Sequence, residues 1–531
     1  MLERKTKIVA TIGNIPVNKK VYFLKNLIKA GVDIIRINMS HKNEGDEGEL
    51  LDLISTIRNV SRDVGKPVAI MADIQGPKIR LGNVPDSKAS IKKGEHIRLG
   101  TCENADITIR NCPGFTKKIA DAIKDDTDIS INIGDGALML DALKVEGKVI
   151  EFVTRNNGKI RTGQGVTIRG IRLPSDKYRI ENYPHDIWSV RKVAEYVDMF
   201  SLSFVNTGDD IDSIHNFISN EVMNKHEILE RFGGLSEFPV IAKIETDDGV
   251  MNIDSIIDRA FGIMVARGDM GLQMGLENVP LAQKEIARRA NIWGKPVIVA
   301  TQMLASMVSS PEPTRAEVSD VANAIIDGAD ALMLSDETAI GEFPIESVKF
   351  MDRIARSVEK KVYGIEGEGD EYVKLGQLEE LYKDFEFEIE KKKRRSKASE
   401  GLQMDETAHF VSYSSVLSTL LIECDAIVAI SRSGATARRI ARFRPTVPVI
   451  VGTYSESIQR LCSLSYGIKA FVIDRKSESK DPFRCLECEF KEVEKIAYNR
   501  GLLKKGMKVA RIAGLTDNKV GDTNLLHIIR I

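Results

Sequence analysis

The chain has 531 residues, with 76 lysine and arginine residues against 77 aspartate and glutamate residues, which gives a net charge of −1. This length suggests roughly three domains, and the neutral balance argues against a chain that mainly binds nucleic acid or a membrane surface. No apolar run approaches the roughly 20 residues that a transmembrane helix needs. The first residues, MLERKTKIVATIG, pass directly from charges into a strand-like run, so we expect no signal peptide and a cytoplasmic protein. The cysteines are sparse, and the CxxC of Cys485 and Cys488 predicts reduced thiols rather than a zinc or redox site.

Short β-branched segments recur along the chain, and each ends in polar residues. Eight of them are found, beginning at Lys7, Asp33, Pro67, Val197, Pro239, Gly262, Pro296 and Ala331. Stretches with apolar residues at helical spacing lie between them, as in 316–329. This alternation indicates a parallel sheet covered by helices, and the count favours a (β/α)8 (TIM) barrel over an open doubly wound sheet.

The chain between the third and fourth segments differs in character. It contains short alternating strands with Gly and Asp-Gly turns, which predict an inserted all-β lid domain over 82–178. The barrel would then occupy 1–81 and 179–362. After it we expect a charged linker, 363–404, and a C-terminal α/β domain, 405–531, where strand–helix alternation resumes.

The charged linker has an acidic half followed by the basic cluster Lys391–Arg395. This pattern is typical of a solvated helix or a mobile linker. The basic run is short and isolated, which argues against a nucleic-acid patch.

Polar and charged residues gather at the carboxyl ends of the predicted barrel strands, where the active sites of such barrels lie. They are Arg36, Asn38, Ser40, Asp73, Lys243, Glu245, Arg267, Asp269, Thr301, Gln302, Ser335 and Glu337. A single charged residue at a strand end is usually a solvated cap. Their convergence on one rim indicates a functional site.

The residue types at this rim indicate the chemistry. Glu245 and Asp269 end neighbouring strands and can share a hard divalent cation such as Mg²⁺. Lys243 lies on the same side of its strand as Glu245, where its ammonium would stabilise an enolate or a transferring phosphoryl group. Arg36 can hold a phosphate through two parallel hydrogen bonds. We therefore expect a Mg²⁺-dependent site for a small phosphorylated acid. The alternative for the KIE segment alone is a buried strand with a surface ion pair.

Segments found in this order resemble pyruvate kinase: KTKIVATIG, RINMSH, ADIQGPKIRLG, VIAKIETDDGV, ARGDMG, ATQMLASM, PTRAEVSDVANAIIDGADALMLSDETAIGEFP and SRSGATARRIARFRP. The resemblance covers nearly the whole chain. It implies a barrel with an inserted lid and a C-terminal α/β domain, assembled as a homotetramer. It also implies Mg²⁺-dependent transfer of a phosphoryl group from phosphoenolpyruvate to ADP, which gives pyruvate and ATP.

The resemblance implies roles for the rim residues. Lys243 would stabilise the transferring phosphoryl group and the enolate, and Arg36 would bind the phosphoryl group. Glu245 and Asp269 would hold Mg²⁺, with a second Mg²⁺ on the nucleotide. Further roles fall to other positions: Gly268, the Asp269 amide and Thr301 would bind the substrate carboxylate, and Thr301, Ser335 and Glu337 would deliver the proton to the enolate.

The nucleotide would face Asn38, His41, Arg80 and Lys177. Asp135 of the inserted domain would approach the site when the lid closes, or would only form a hairpin turn.

The family's potassium site corresponds here to Asn38, Ser40, Asp73 and the carbonyl of Ile74. Members that need K⁺ usually carry Glu where this chain has Lys78, and Gln75 fits the subgroup that does not. Because an ammonium can supply the charge of K⁺, we expect activity without a monovalent cation. The alternative is that Lys78 simply faces solvent.

A short segment of the C-terminal domain has the composition of an anion cradle. Its residues are Ser431, Arg432, Ser433, Gly434 and Thr436, which follow an apolar run and precede a basic helix. The resemblance implies that it holds the phosphate of an allosteric effector, with 514–524 as its other wall. A simple N-cap turn is the alternative.

Two other function classes share parts of this pattern. A barrel lyase or aldolase could use Mg²⁺ to stabilise a pyruvate enolate, but it would not need the insert or the PTRAEVSDVANA segment. A catalytically inactive relative would not need to retain Lys243, Glu245, Asp269 and Thr301.

Overall fold

The structure is a computed structural model that describes residues 4–102, 104–110, 117, 119–121, 129–134, 137–169, 178–363, 371–395, 406–474, 482–515 and 522–531. Its first part consists of strand–helix units in which the strands are buried along most of their length. The elements are β1 (Lys7–Ile12), α1 (Lys20–Ala30), β2 (Ile34–Asn38), α2 (Glu47–Val64) and β3 (Ala69–Ile74), with 3-10 turns at Val17–Lys19, Met39–His41 and Glu44–Asp46.

An all-β insert follows β3, as the sequence predicted. Its strands are β4 (Arg80–Leu81), β5 (Ser90–Ile91), β6 (His96–Gly100), β7 (Ile107–Arg110), β8 (Ser130–Ile133), β9 (Leu138–Glu146), β10 (Val149–Thr154), β11 (Gly158–Lys159) and β12 (Val166–Arg169), with a 3-10 turn at Asp86–Lys88. They form a 7-stranded sheet in the order β12-β8-β9-β10-β6-β7-β4 and a 2-stranded sheet, β11-β5. The insert has an apolar core of its own, built around residues such as Leu99, Ile131 and Phe152. Asp135 and Lys177 lie outside the described residues.

The remaining barrel units follow the insert. They comprise α3 (Pro184–Val193), β13 (Met199–Leu202), α4 (Gly208–Glu221), α5 (Lys225–Arg231), β14 (Val240–Ile244), α6 (Asp247–Met251), α7 (Ile253–Arg259), β15 (Gly262–Ala266), α8 (Arg267–Met274), α9 (Val279–Ile292), β16 (Val297–Ala300), α10 (Arg315–Ile326), β17 (Ala331–Leu334), α11 (Asp336–Ala339) and α12 (Pro344–Val362), with 3-10 turns at Ile180–Asn182 and Ala305–Val308. The barrel closes in the order β1-β17-β16-β15-β14-β13-β3-β2, with every pair parallel. The predicted barrel is therefore confirmed, and each predicted segment supplies one of its strands.

Part of the predicted charged linker forms a long helix, α13 (Glu371–Arg395). Leu381, Phe385 and Ile389 of this helix pack against Ile292 and Trp293 at the end of α9. The helix is thus attached to the barrel by an apolar stripe within a charged sequence. The limits of the linker and of the other domains remain predictions.

The C-terminal domain has the predicted α/β alternation. Its elements are α14 (Glu406–Leu421), β18 (Ala426–Ile430), α15 (Ala435–Ala441), β19 (Val449–Thr453), α16 (Glu456–Cys462), β20 (Ile468–Val472), α17 (Pro482–Asn499), β21 (Lys508–Ala513) and β22 (Leu525–Arg530). The sheet order is β20-β19-β18-β21-β22, and β22 alone runs antiparallel to its neighbour. One apolar cluster joins this domain to the barrel. No described helix is both long and apolar enough to cross a membrane.

Asp33 connects the amino-terminal ends of the barrel strands β1, β2 and β3. Its carboxylate accepts a hydrogen bond from the Ile8 amide at 2.9 Å and pairs with Arg4 at 2.9 Å and Lys66 at 3.0 Å. Burial would raise the pKa of Asp33, but Lys66, Arg4 and Lys7 hold it well below the usual carboxyl range. The stability that Asp33 supplies is therefore present above its unfolded pKa, about 3.9, and is lost as the pH falls below that value.

We expect Asp33→Asn to lower the free energy of unfolding at pH 7 by about 3 kcal/mol, because it leaves buried cations without their counter-charge. The gap between the variant and the wild type should shrink as the pH falls toward 3, as measured from urea unfolding curves. Asp52→Asn is the matched control, because Asp52 pairs with Lys20 but its side chain is 61% exposed, and it should change little. A gap that grows in acid would contradict the assignment.

Candidate active site

A buried charged cluster lies at the carboxyl ends of adjacent barrel strands. β2, β3, β13, β14 and β15 are neighbours in the barrel, and their parallel register places Asn38 beside Asp73. The strand ends that carry this part of the predicted rim are therefore neighbours in the barrel.

Lys243 lies at the centre of this cluster and is only 8% exposed. Its Nζ atom donates to Ser203 Oγ at 2.6 Å and lies 3.3 Å from Glu245 Oε1 and 3.4 Å from Asp73 Oδ1. Burial alone would lower the pKa of Lys243, but Asp73 and Glu245 raise it above the usual lysine value. Lys243 is thus a fixed cation at neutral pH.

Asp73 holds a second cation beside Lys243. Arg36 Nε donates to Asp73 Oδ2 at 2.6 Å, and Arg36 Nη1 donates to Thr11 Oγ1 at 3.0 Å. Burial would raise the pKa of Asp73, but Arg36 and Lys243 hold it below its usual value. One carboxylate therefore orients two cations at the mouth of the barrel.

Glu245 is 1% exposed and accepts a hydrogen bond from the Phe204 amide at 2.6 Å. Phe204 has a left-handed backbone with φ 57°, which is rare for a bulky residue. Burial raises the pKa of Glu245 to about 7; Lys243 opposes this shift and Asp269 adds to it. The site therefore holds a carboxylate whose negative charge is incompletely compensated.

Asp269 lies in the first turn of α8, on the strand unit next to Glu245. Both of its carboxylate oxygens accept hydrogen bonds from Lys78 Nζ, at 3.0 and 3.1 Å. The described residues contain no cluster of three or more side chains suited to holding a metal ion. A cation bound by Glu245 and Asp269 would need substrate and water oxygens as well, which is the coordination that Mg²⁺ prefers. The donor set therefore fits Mg²⁺.

The predicted carboxylate-binding residues also lie together. The Gly268 amide donates to Thr301 Oγ1 at 2.8 Å, and that hydroxyl donates to the Ala300 carbonyl at 2.6 Å. Thr301 has a left-handed backbone with φ 72°, and Arg267 Nη2 donates to its carbonyl at 2.9 Å. Several hydrogen bonds thus hold this turn in a conformation that threonine rarely adopts.

The predicted proton-delivery residues are connected only in part. Glu337 accepts hydrogen bonds from the Leu304 amide at 3.0 Å and the Ser335 amide at 2.7 Å. The buried Ser335 hydroxyl has no hydrogen-bond partner among the described residues. Neither Glu337 hydrogen bond reaches Thr301, so the link between them stays a prediction. Asp336 is exposed.

The predicted nucleotide-binding residues lie where the barrel meets the insert. Asn38 Oδ1 accepts a hydrogen bond from the Ser40 amide at 3.1 Å, and Arg80 Nη1 donates to the Gly163 carbonyl at 2.7 Å. Partial burial and the nearby Arg80 and Arg36 lower the pKa of His41. His41, Arg80 and Arg36 therefore form one electropositive region. Lys177 lies outside the described residues.

Two of the four predicted potassium ligands, Asp73 and the Ile74 carbonyl, lie next to the hydroxyl of Ser203. Ser203 Oγ donates to the Ile74 carbonyl at 3.0 Å and lies 3.4 Å from Asp73. Lys78 does not simply face solvent, because its ammonium pairs with Asp269.

The predicted effector segment precedes α15. Ser431 and Ser433 are buried, Arg432 is half-buried, and Gly434 has φ 73°. Thr436 Oγ1 and Thr523 Oγ1 share a hydrogen bond of 2.8 Å. The segment thus contacts the predicted second wall, 514–524, at Thr523. Residues 516–521 of this wall lie outside the described residues.

Sequence reasoning missed Ser203, Phe204 and Thr11. Ser203 connects Lys243 to the Ile74 carbonyl, the Phe204 amide fixes Glu245, and Thr11 supports Arg36. A polar residue at the end of the fourth barrel strand could have marked Ser203. The sequence carried no signal for an amide presented by Phe204.

Comparison with known proteins identifies the family. Residues 3–348 match the pyruvate kinase barrel domain, and 409–529 match the pyruvate kinase alpha/beta domain. The pyruvate kinase of Clostridium acetobutylicum is 33% identical over 525 residues, which covers 99% of each chain. That of Thermococcus litoralis is 34% identical over 533 residues, covering 99% of this chain and 98% of the relative. The crystal structure of a Cryptosporidium parvum pyruvate kinase aligns with a TM-score of 0.80 at 28% identity, covering 99% of this chain and 96% of that one. These matches, over both conserved domains and nearly the full length, show that the chain belongs to the pyruvate kinase family.

Proposed function

We propose that the protein transfers the phosphoryl group of phosphoenolpyruvate to ADP and forms pyruvate and ATP. The observation that carries this proposal is the arrangement of Lys243 and Arg36 around Asp73, beside the carboxylates of Glu245 and Asp269. The transferring phosphoryl group and the enolate that it leaves are both anions. Fixed cations at one rim stabilise negative charge without reorganising during the reaction.

Each group has a role that follows from its chemistry. Lys243 would stabilise the phosphoryl group in transfer and then the enolate oxygen, and Arg36 would hold the phosphoryl oxygens. Glu245 and Asp269 would hold Mg²⁺, which supplies positive charge for the substrate oxygens. A second Mg²⁺ would accompany the nucleotide. The Gly268 and Asp269 amides and the Thr301 hydroxyl would bind the substrate carboxylate.

The enolate becomes pyruvate when it gains a proton on carbon. Thr301, Ser335 and Glu337 would carry this proton, and the buried Ser335 hydroxyl without a partner supports a role for it. On the nucleotide side, Asn38, His41, Arg80 and Lys177 would face the phosphates of ADP.

The resemblance supports three further proposals. A phosphorylated effector would bind at Ser431, Arg432, Ser433, Gly434 and Thr436, the enzyme would assemble as a homotetramer, and it would act in the cytoplasm. The contact between Thr436 and Thr523 supports the first of these, since it closes the predicted cradle on one side.

A coupled assay tests the function directly. Phosphoenolpyruvate, ADP and Mg²⁺ are supplied, and pyruvate and ATP are both measured. We expect them to form in equal amounts. Pyruvate formed without ADP would instead indicate hydrolysis of phosphoenolpyruvate. The absence of both products would favour a lyase or aldolase, which acts on neither phosphoenolpyruvate nor ADP, or an inactive relative.

Lys78 is expected to remove the need for a monovalent cation. Its ammonium lies 3.0 Å from Asp269, and the positive charge that it carries would take the place of the K⁺ that other members of the family use. Activity should be equal in potassium and tetramethylammonium salts at matched ionic strength. Lys78→Gln should lower activity in tetramethylammonium, and a wild-type requirement for K⁺ would refute the proposal.

A further inference from the structure

A cavity of about 300 Å³ lies between the barrel, α13 and the C-terminal domain. Its walls include Asn291 and Gly328 of the barrel, Leu381 of α13, Leu420 of α14 and Arg442 after α15. We propose that this cavity binds a small monocarboxylate with an apolar body, and that Arg442 anchors the carboxylate.

Arg442 is a buried cation with unused hydrogen-bonding groups. Its side chain is 3% exposed, and Nη1 donates to the Ile292 carbonyl. Nε and Nη2 are buried and have no hydrogen-bond partner among the described residues. Buried donors left in this state are destabilising, so they need a partner that the described residues do not supply.

The surroundings of Arg442 restrict how a partner can approach. The guanidinium lies over the ring of Phe443 at 4.3 Å and over the ring of Phe385 at 4.8 Å. Aromatic rings satisfy the faces of a guanidinium but not its in-plane donors. The edge formed by Nε and Nη2 is the edge that a carboxylate binds through two parallel hydrogen bonds.

The ion pairs that the described residues form around the cavity do not include Arg442. Arg288 pairs with Asp384 at 2.7 Å, and Arg444 pairs with Asp330 at 3.1 Å. Burial and the nearby Arg439 lower the pKa of Arg442 to about 9, whereas Tyr382 acts in the other direction. An anion in the cavity would compensate this charge.

The other lining residues select the class of anion. Leu378, Leu381, Val416 and Leu420 supply apolar walls, which suit a hydrocarbon body. Of the acidic residues that line the cavity, Asp384 pairs with Arg288 and Asp327 pairs with Lys284, whereas Glu380 would repel a dianionic phosphate more strongly than a monoanion. A monocarboxylate therefore matches both features.

The cavity is separate from the site proposed for catalysis. Asn291 and Gly328 lie near the amino-terminal ends of β16 and β17, whereas Lys243 and Glu245 lie at the carboxyl ends of the barrel strands. None of the residues predicted for the phosphorylated effector lines this cavity. Because α13 forms one wall, a bound ligand would join this helix to both the barrel and the C-terminal domain.

Calorimetric titration of the full-length protein tests the proposal with three small probes. 3-Phenylpropionate carries a carboxylate on an apolar body, 3-phenylpropionamide is its neutral match, and phenyl phosphate is a dianion with a similar body. We expect 3-phenylpropionate to bind and each of the others to bind at least about tenfold more weakly. Equal binding of the amide, or no binding of the carboxylate, would overturn the proposal.

Two variants locate the binding. Arg442→Met should weaken the binding of 3-phenylpropionate at least about tenfold. Arg288→Met should not, because Arg288 lines the same cavity but is already paired with Asp384. Thr419→Trp places a bulky side chain from α14 in the cavity and leaves Arg442 intact, so it should also weaken binding. This variant tests the proposal even if Arg442→Met fails to fold. Unchanged affinity in Thr419→Trp, or in a folded Arg442→Met, would place the ligand elsewhere and refute the assignment.

Discussion

Replacement of Lys243 by methionine is expected to lower kcat by about 10³-fold, because it removes the cation that faces the developing negative charge. Methionine retains much of the length of the side chain, and Arg36 still pairs with Asp73. The fold should therefore persist. Steady-state kinetics with phosphoenolpyruvate and ADP would measure the loss, and circular dichroism would verify the structure.

Lys25→Met is the control for this change, since Lys25 is an exposed lysine of α1. It should leave kcat unchanged. A Lys243→Met enzyme that retains wild-type kcat while folded would remove the central support for phosphoryl transfer at this rim.

Glu245→Gln is expected to weaken Mg²⁺ binding at least about a hundredfold, since even partners outside the direct ligands contribute up to that factor. The amide oxygen can still accept the hydrogen bond of the Phe204 amide, so the local backbone should be retained. Titration with Mn²⁺ followed by electron paramagnetic resonance measures the binding without relying on turnover.

Glu285→Gln is the matched control, because Glu285 is an exposed carboxylate of α9. This variant should bind Mn²⁺ as the wild type does. If Glu245→Gln binds the metal normally, the ion is held by other residues and the proposed site is wrong.

The barrel was predictable because its strands are nearly continuous apolar runs that end in polar residues. Lys243 and Glu245 could be assigned to one face, since they are separated by two positions on a strand. Asp269 could be assigned to the neighbouring strand by order along the chain. The structure places these residues close together.

Other features depend on contacts that no local pattern records. Leu381, Phe385 and Ile389 form an apolar stripe on α13, but charged neighbours in the sequence obscure it. The Phe204 amide reaches Glu245 only because the backbone turns left-handed there. The pairing of Lys78 with Asp269 joins residues 191 positions apart, so neither segment alone predicts it.

The separate apolar core of the insert has a mechanical consequence. Among the described residues, the insert and the barrel share no apolar core. Rotation of the insert as a rigid unit would disturb smaller contacts, such as that of Gly165 with the Lys78 side chain, where an added Cβ would lie 2.6 Å from Lys78 Cε. Separation of the C-terminal domain would instead open a continuous interior. A large hinge motion would therefore cost less free energy for the insert than for the C-terminal domain, whose side chains pack closely against the barrel.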